Sequence, residues 1–194
     1  KSEAAIELAS VFAFSAIKNN DKVGLLLFSD KVELYIPPRK GKRHVLRIIR
    51  ELLAFEPKRK KTDISLALSS LIRLIKRQGI LLFISDFLDE NYEKPFKLAA
   101  RKFDLIPVII KDPLEFDFPK LSAFIQIEDT ESDNGGVLSG SSLRQISQAR
   151  AEVLEKALNL FKLSGVDYIN IDTSKNTLDP VIKFFKQRSG KLGI

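Results

Sequence analysis

Strand-like apolar runs alternate with helical patterns along almost the whole chain, and this alternation most constrains the fold. The continuous or nearly continuous apolar runs lie at 22–29, 80–85, 104–110 and 166–172. Helical patterns lie between and around them, at about 2–18, 44–55, 62–78, 91–102, 141–165 and 176–188. Short apolar strands separated by helices are typical of an α/β domain with a mainly parallel sheet. That is the fold class that the sequence predicts.

A hairpin interrupts the alternation near the beginning of the chain. Asp30-Lys31 predicts a tight turn, and 32–36 alternates as a half-exposed strand that Pro37-Pro38 is expected to stop. This strand would be one antiparallel edge of the sheet. Residues 123–128 are a further strand candidate, and the polar, Gly/Ser-rich segment 129–142 predicts a surface loop or hairpin.

The chain opens on a helix, whereas right-handed crossover units normally begin with a strand. We therefore expect a first strand upstream of Lys1, and a longer natural protein, since the 194 residues contain no methionine. The sequence predicts one domain over 1–188 and a tail over 189–194. A sheet without one of its strands exposes backbone donors and acceptors, so a homodimer formed through that gap is a further hypothesis.

Composition excludes several functional classes. Without cysteine and with His44 as the single histidine, thiolate zinc sites, cysteine nucleophiles and two-histidine metal sites are impossible. His44 is interpreted as a residue at the start of a helix, and no G-x-S-x-G motif supports a hydrolase. No apolar run is long enough to span a membrane, and we expect a cytoplasmic protein. These exclusions leave little support for an enzyme, and the family resemblance given below implies a binding module.

Asp86 follows the apolar run Ile80–Ile84 and Ser85, where a parallel sheet places its ligands. It could accept backbone hydrogen bonds or, like Asp89, cap the following helix. It could also be a Walker-B acid, an aspartyl nucleophile or one ligand of a divalent cation. No G-x-x-x-x-G-K-[ST] motif supports the Walker-B interpretation, and no Lys or Thr signature supports the nucleophile.

A cation site needs oxygen ligands from more than one loop. Thr62 is the best candidate for a second ligand and Asp63, beside it, for a third. Either residue could instead be the N-cap of the helix that follows, and the Thr62 loop alone favours the cap.

Five segments in this order and spacing resemble one bacterial protein family: DKVGLLLFSD, YIPPRKGKRHVLRIIREL, KTDISLAL, ILLFISDF and FKLSGVDYINIDT. They are similar to the domain-of-unknown-function-58 family, a branch of the von Willebrand factor A-like domains often encoded beside MoxR-type AAA+ ATPases. The resemblance implies a three-layer, Rossmann-like sheet. It also implies a metal-ion-dependent adhesion site, in which Thr62 and Asp86 would be ligands.

The third element of that adhesion site, a D-x-S-x-S loop after the first strand, would precede Lys1. The resemblance therefore implies Mg²⁺ or Mn²⁺ binding by the full-length protein and no tightly bound metal in this chain. A partner's acidic side chain would complete the coordination. The partner implied by the resemblance is a MoxR-type ATPase or its client, in the assembly or maturation of other proteins.

Positive charge is concentrated in one part of the chain. Residues 39–77 contain thirteen Lys or Arg against three acids, a local excess of ten that exceeds the net charge of +7. We expect one basic face near the Thr62 loop, formed by Arg39, Lys40, Lys42, Arg43, Lys58, Arg59, Lys60 and Lys61. An acidic protein is favoured as its partner over nucleic acid, which remains the alternative; an ordinary solvated face is the third interpretation.

Overall fold

The computed structural model describes residues 1–56, 61–113, 125–127, 136–138 and 140–191. The helices are α1 (Ser2–Lys18), α2 (Lys42–Leu53), α3 (Ile64–Leu74), α4 (Glu93–Lys102), α5 (Gly140–Leu163) and α6 (Leu178–Lys191). The strands are β1 (Val23–Phe28), β2 (Val32–Arg39), β3 (Ile80–Ser85), β4 (Asp104–Lys111), β5 (Ile125–Ile127), β6 (Gly136–Leu138) and β7 (Ile169–Asp172). None of the helices in these ranges is long and apolar enough to cross a bilayer.

The central sheet is parallel, as predicted. Its three strands lie in the order β3-β4-β7, and β3 and β4 pair in register from Ile80 with Asp104 to Ser85 with Ile109. Six consecutive residues of β4, Leu105–Ile110, are buried, because helices cover both faces of the sheet. The apolar runs at 80–85, 104–110 and 166–172 correspond to these strands, and the run at 22–29 corresponds to β1.

The N-terminal hairpin forms, and its second strand is longer than predicted. In the described residues, β1 and β2 pair with each other as a separate antiparallel sheet and have no backbone ladder to the parallel sheet. β2 continues through Pro37 and Pro38 to Arg39. Proline is tolerated there because β2 lies at an edge, where an N–H that faces outward is not needed by a neighbouring strand.

The remaining differences are small. β5 and β6 form a two-stranded antiparallel pair, and β6 lies within the segment 129–142 that was predicted as a loop or hairpin. Residues 129–135 and 139 of that segment lie outside the described residues. α6 ends at Lys191, so the helix extends into the segment predicted as a tail.

Three apolar clusters show how the elements pack. One joins α3, α4 and α5 to β3 and β4, with Phe87, Phe96 and Phe161 fully buried. A second joins α1 and α6 to β4 and β7, and a third joins α1 and α2 to the β1–β2 hairpin. α1 therefore packs on both sheets, and Leu8 in its centre is fully buried.

β1 and β3 lie in one layer although no backbone hydrogen bond of the described residues pairs them. Leu26 and Phe28 of β1 pack in the same cluster as Leu81 and Phe83 of β3, and the rings of Phe28 and Phe83 are 5.3 Å apart. The opposite faces of both strands pack under α1.

Gly24 is required by the close approach of β2. A Cβ at this position would lie 2.8 Å from the carbonyl oxygen of Ile36 and 3.0 Å from Cδ of Pro38. We expect Gly24→Ala to lower the free energy of unfolding by about 1 to 2 kcal/mol, because backbone must move to admit the methyl group.

Urea unfolding monitored by circular dichroism measures this change. Gly79→Ala is the matched control, since nothing lies within 4 Å of its Cβ position. An equal effect of the two substitutions would contradict the steric explanation.

Candidate functional site

Three loops meet at the N-terminus of α3. The backbone N–H of Asp63 donates to the carbonyl oxygen of Ser29, which follows β1, at 3.0 Å. The N–H of Ile64 donates to Oδ2 of Asp89, in the loop after β3, at 2.7 Å. The loops that follow β1 and β3 are thus fastened to the same helix end, which shows that both strands end on the same side of the molecule.

Asp63 is the N-cap of α3. Its Oδ1 accepts a hydrogen bond from the N–H of Leu66 at 2.7 Å, and its backbone is extended, as in a capping residue. The capping interpretation is therefore confirmed for Asp63. The adjacent Thr62 is exposed and is not the cap.

Asp86 lies directly after β3, as predicted, with its side chain 36% exposed. Its Oδ2 is 3.1 Å from the ammonium of Lys1, and its Oδ1 accepts from the N–H of Leu88 at 3.3 Å. The expected backbone hydrogen bond is present, and the carboxylate also attracts a cation. The ammonium comes from the residue immediately before α1.

Phe87 fixes the direction of the loop that carries Asp86. Its φ of 57° lies in the left-handed region, which is unfavourable for an aromatic residue, and its ring is fully buried. The ring lies 5.7 Å from that of Phe83 and 5.0 Å from that of Phe161. This packing compensates for the backbone strain and holds Asp86 at the surface.

The loop after β3 is also strongly acidic. Burial, and then the neighbouring carboxylates of Asp89 and Glu93, raise the pKa of Tyr92 well above its usual value. Tyr92 therefore stays protonated, and a deprotonated tyrosine is not available there as a base or ligand near neutral pH.

The two predicted metal ligands lie on loops that the structure joins. The hydrogen bond from Ile64 to Asp89 links the loop of Thr62 with the loop of Asp86. Over the part of the chain that the structure describes, no three histidine or acidic side chains form a group that could hold a metal ion. Thr62 and Asp86 would supply only two oxygen ligands, which do not make a complete site for a hard divalent cation.

Sequence reasoning missed the roles of two side chains at this edge, Ser29 and Asp89. Ser29 is 4% exposed, and its hydroxyl donates to Oε1 of Glu33 at 2.7 Å. Asp89 was considered only as a cap of the helix after it, whereas it accepts from a residue 25 positions earlier. The polar Ser29-Asp30 pair after an apolar strand is a signal in the sequence that could have identified the first of these.

The predicted single basic face is not what the described residues show. Arg39 pairs with Val23 at the beginning of β1, whereas Lys61 lies beside the Thr62 loop, at the end where β1 terminates. The six residues of β1 separate these positions by about 20 Å. Lys58, Arg59 and Lys60 lie outside the described residues.

The remaining basic residues form a surface of their own. Arg39, Lys40, Lys42 and Arg43 are exposed around the first turn of α2, and we call these four the basic surface. No acidic residue lies in that turn. His44 lies in the first turn of the same helix, and its Nε2 donates to the carbonyl oxygen of Val23 at 2.8 Å, which is a structural role as expected.

Asp172, at the end of β7, is an additional ionised carboxylate. The hydroxyl and then the backbone N–H of Ser174 donate to it, at 2.6 and 2.9 Å, and these bonds with a contribution from Lys175 lower its pKa to about 2. Because the pKa of Asp172 is lowered in the folded protein, these contacts stabilise the folded state at pH values above the usual carboxyl pKa. The contribution is lost as the pH falls towards 2.

We expect Ser174→Ala to raise the pKa of Asp172 towards 3.8, because the largest cause of the shift is removed. Carbon-detected NMR titration of the Asp172 carboxyl measures this value directly. Ser2→Ala, on the exposed first residue of α1, should leave it unchanged. An unchanged pKa in the Ser174 variant would contradict the assignment.

Comparison with known proteins finds relatives without an assigned activity. A family profile described as "Protein of unknown function DUF58" matches residues 1–155. The uncharacterized protein Rv1480 of Mycobacterium tuberculosis is 22% identical over 193 residues, which are 97% of this chain and 61% of that protein. The uncharacterized protein MAV169 of Mycobacterium avium is 21% identical over 159 residues, 79% of this chain and 93% of that protein. The chain thus spans less than two thirds of the first of these relatives.

One solved structure has a similar fold. The crystal structure of the conserved hypothetical protein BatB from Bacteroides thetaiotaomicron superposes with a TM-score of 0.57 at 17% identity. The match covers 99% of this chain and 88% of that one. At this identity the likeness concerns the fold alone.

Proposed function

This chain belongs to the family described as "Protein of unknown function DUF58", and we propose that it is a von Willebrand factor A-like protein-interaction module rather than an enzyme. The observation that carries the proposal is the joined pair of loops at the carboxyl end of β3. Open α/β sheets bind their ligands at such strand ends. The exposed Thr62 and the half-buried Asp86 are among the polar groups presented there.

The rigidity of this edge supports a role in recognition. The Asp86 loop is held by the buried ring of Phe87, and the Thr62 loop is held by Ser29 and Asp89. A surface whose groups are fixed before binding loses little conformational entropy on association. The single histidine makes a structural hydrogen bond to Val23 and the chain has no cysteine, so this edge offers neither an imidazole base nor a thiol nucleophile.

The attraction of Asp86 for a cation supports a metal-dependent form of recognition. An ammonium already lies 3.1 Å from its Oδ2. In the longer protein we propose that Asp86 and Thr62 bind Mg²⁺ or Mn²⁺ together with ligands upstream of Lys1, and that an acidic side chain of the partner completes the shell. This chain alone, with two of the ligands, is expected to bind the ions weakly.

Calorimetric titration of Mg²⁺ and Mn²⁺ into the protein that includes its upstream residues tests this proposal. Thr62→Ala and Asp86→Ala should each weaken binding at least about tenfold, the lower end of the loss seen when groups around a metal are removed. Asp21→Ala, an exposed carboxylate after α1, is the matched control. Indistinguishable affinities in all four proteins would overturn the metal site.

The proposed partner is a MoxR-type AAA+ ATPase or its client, by family resemblance, in the assembly or maturation of other proteins. Co-purification of the full-length protein with such an ATPase, with Mg²⁺ and with EDTA, measures the association. We expect retention in Mg²⁺ and loss with Asp86→Ala. No association in either condition would contradict this partner.

The basic surface favours a second candidate, binding of nucleic acid. Its four cations surround the N-terminus of α2, where the helix dipole adds to the positive potential. We expect fluorescence anisotropy to detect only weak, salt-dependent binding of DNA or RNA, with a Kd above about 1 µM at 150 mM salt. Tighter binding that is lost in Lys42→Ala/Arg43→Ala would favour nucleic acid over a protein partner.

A further inference from the structure

The loops that follow strands β1, β3, β4 and β7 are acidic. β3, β4 and β7 are parallel, and β1 ends on the same side of the molecule as β3. These loops, 28–33, 86–93, 111–113 and 172–179, contain nine Asp or Glu against three Lys. The candidate site lies among them, so it occupies a negatively charged end of the molecule.

The opposite end, where these strands begin, collects the ends of helices from both layers. Asp104 pairs with Ile80 where β4 and β3 begin, and the chain enters β1 and leaves β2 at the same end. Arg188 of α6 donates to Oδ1 of Asp104 at 2.7 Å, which places the last turns of α6 there. Lys162, in the last turn of α5, lines the same cleft as Arg188.

Six segments at this end, which we call the basic pole, concentrate positive charge. The segments are 18–23, 39–43, 73–80, 101–104, 162–168 and 186–189. They contain twelve exposed Lys or Arg against three exposed Asp, of which Asp104 is paired with Arg188. This local excess is larger than the net charge of +7 of the whole chain. The positive charge of the protein is therefore gathered at the end opposite the candidate site.

Helix dipoles do not account for this charge. Cations are favourable in the last turn of a helix, and Arg73 of α3 and Arg101 of α4 are such cases. α2, however, begins at the basic pole, where a helix dipole favours acids. Its first turn contains no acid and is surrounded by the four cations of the basic surface. Lys76 and Arg77 lie beyond the end of α3. The remaining cations indicate an anionic partner.

Large apolar side chains project among these cations and narrow the choice of partner. Leu163, the last residue of α5, is 82% exposed, and Ile80, the first residue of β3, is 64% exposed. Leu74 and Tyr168 are also exposed at this pole. The core of a protein interface is depleted of charge, and aliphatic side chains have no stacking partner on nucleic acid. At a bilayer surface, by contrast, Lys and Arg bind headgroups while neighbouring apolar side chains enter the interface.

We propose that the basic pole is a docking surface for membranes that contain anionic lipids. The contact is peripheral: the cations bind the lipid headgroups, and Leu163 and Ile80 enter the interface between them. The candidate site, at the opposite ends of the strands, then faces away from the bilayer and is open to a partner in solution. Docking needs no divalent cation, so its test in EDTA is independent of the proposed metal-dependent recognition.

Vesicle sedimentation of the 194-residue chain in EDTA measures the docking. Vesicles of phosphatidylcholine with phosphatidylserine should bind at least about tenfold more tightly than vesicles of phosphatidylcholine alone, since the anionic surface attracts each nearby Lys or Arg. Lys76→Glu/Arg77→Glu should weaken binding to the anionic vesicles by about 25-fold or more, because each cation near such a surface contributes about fivefold.

Lys31→Glu/Lys94→Glu is the matched control. Both lysines are exposed at the acidic end, in the turn after β1 and in the first turn of α4, and the double variant makes the same change in net charge. It should weaken vesicle binding by less than about threefold, because these positions lie far from the bilayer. Circular dichroism checks that both double variants keep the helix content of the wild type.

A single introduced tryptophan reports the insertion of apolar side chains, since the chain has none. The emission of Leu163→Trp should shift to shorter wavelength when the anionic vesicles are added. Leu53→Trp is the control, because Leu53 is exposed at the end of α2 that lies away from the basic pole, and its emission should not shift.

No binding to the anionic vesicles, or equal weakening by the two double variants, would overturn the docking surface. An unshifted emission of vesicle-bound Leu163→Trp would contradict the insertion. Tight binding of DNA or RNA that is lost in Lys76→Glu/Arg77→Glu, without binding to vesicles, would assign the basic pole to nucleic acid and overturn the proposal.

Discussion

Phe161→Ala is expected to lower the free energy of unfolding by about 3 to 5 kcal/mol, the largest effect of any substitution considered. Phe161 lies on α5 and is fully buried in the largest apolar cluster. Its ring stacks on Phe96 at 4.9 Å and meets Phe87 edge-on at 5.0 Å. Alanine would remove the ring and leave a cavity, because α4, α5 and the loop after β3 cannot all move to fill the space.

Urea unfolding measures this loss, and the site provides a second readout. Because Phe161 supports Phe87, and Phe87 holds the loop of Asp86, the amide resonances of 86–89 should shift in the variant. Leu163→Ala is the control on the same helix, since Leu163 is 82% exposed, and it should change stability by less than about 0.5 kcal/mol. A loss below about 1 kcal/mol for Phe161→Ala would mean that the cluster repacks.

Local periodicity predicted most of the elements because burial and hydrogen bonding leave periodic signals in the sequence. Ile80–Ser85 and Asp104–Lys111 are strands because their continuous apolar side chains are buried on both faces, which a surface helix would not allow. Asp63 is a cap because a short side chain before an apolar helix can reach the N–H three residues ahead. Both signals lie within one element or its first turn.

Contacts between distant residues could not be predicted in this way. The prolines of β2 were expected to end the strand, and only the position of the strand at an edge explains why they do not. The ion pair of Lys1 with Asp86 joins residues 85 positions apart. The basic stretches flank one helix in sequence, but Arg39 and Lys61 are separated because β1 lies between their ends. Thr62 and Asp86 were paired as candidate ligands from their positions in loops of the predicted sheet, and the family resemblance implied the same pair.

Asp89→Ala is expected to lower the free energy of unfolding by about 2 to 3 kcal/mol, the contribution of a hydrogen bond to a charged group. The hydrogen bond from the N–H of Ile64 to Asp89 is the contact that joins the two loops of the candidate site. Ile64 is fully buried, so its N–H would lose a partner where water has little access. The carboxylate also lies at the N-terminus of α3, where negative charge is favourable.

Asp89→Asn separates the two contributions. The amide oxygen of asparagine can still accept the hydrogen bond from the N–H of Ile64, so this variant should lose only the contribution of the negative charge. We expect its loss of unfolding free energy to be less than half of the loss caused by Asp89→Ala. Glu90→Ala, an exposed neighbour, is the control. Because Asp89 joins the two loops, Asp89→Ala should also accelerate hydrogen exchange of the Asp63 and Ile64 amides while those of β4 keep their protection relative to global unfolding. The prediction is wrong if Asp89→Ala has the stability of the wild type and the Asp63 and Ile64 amides exchange at unchanged rates. In that case other contacts hold the two loops together, and the edge proposed for recognition does not depend on Asp89.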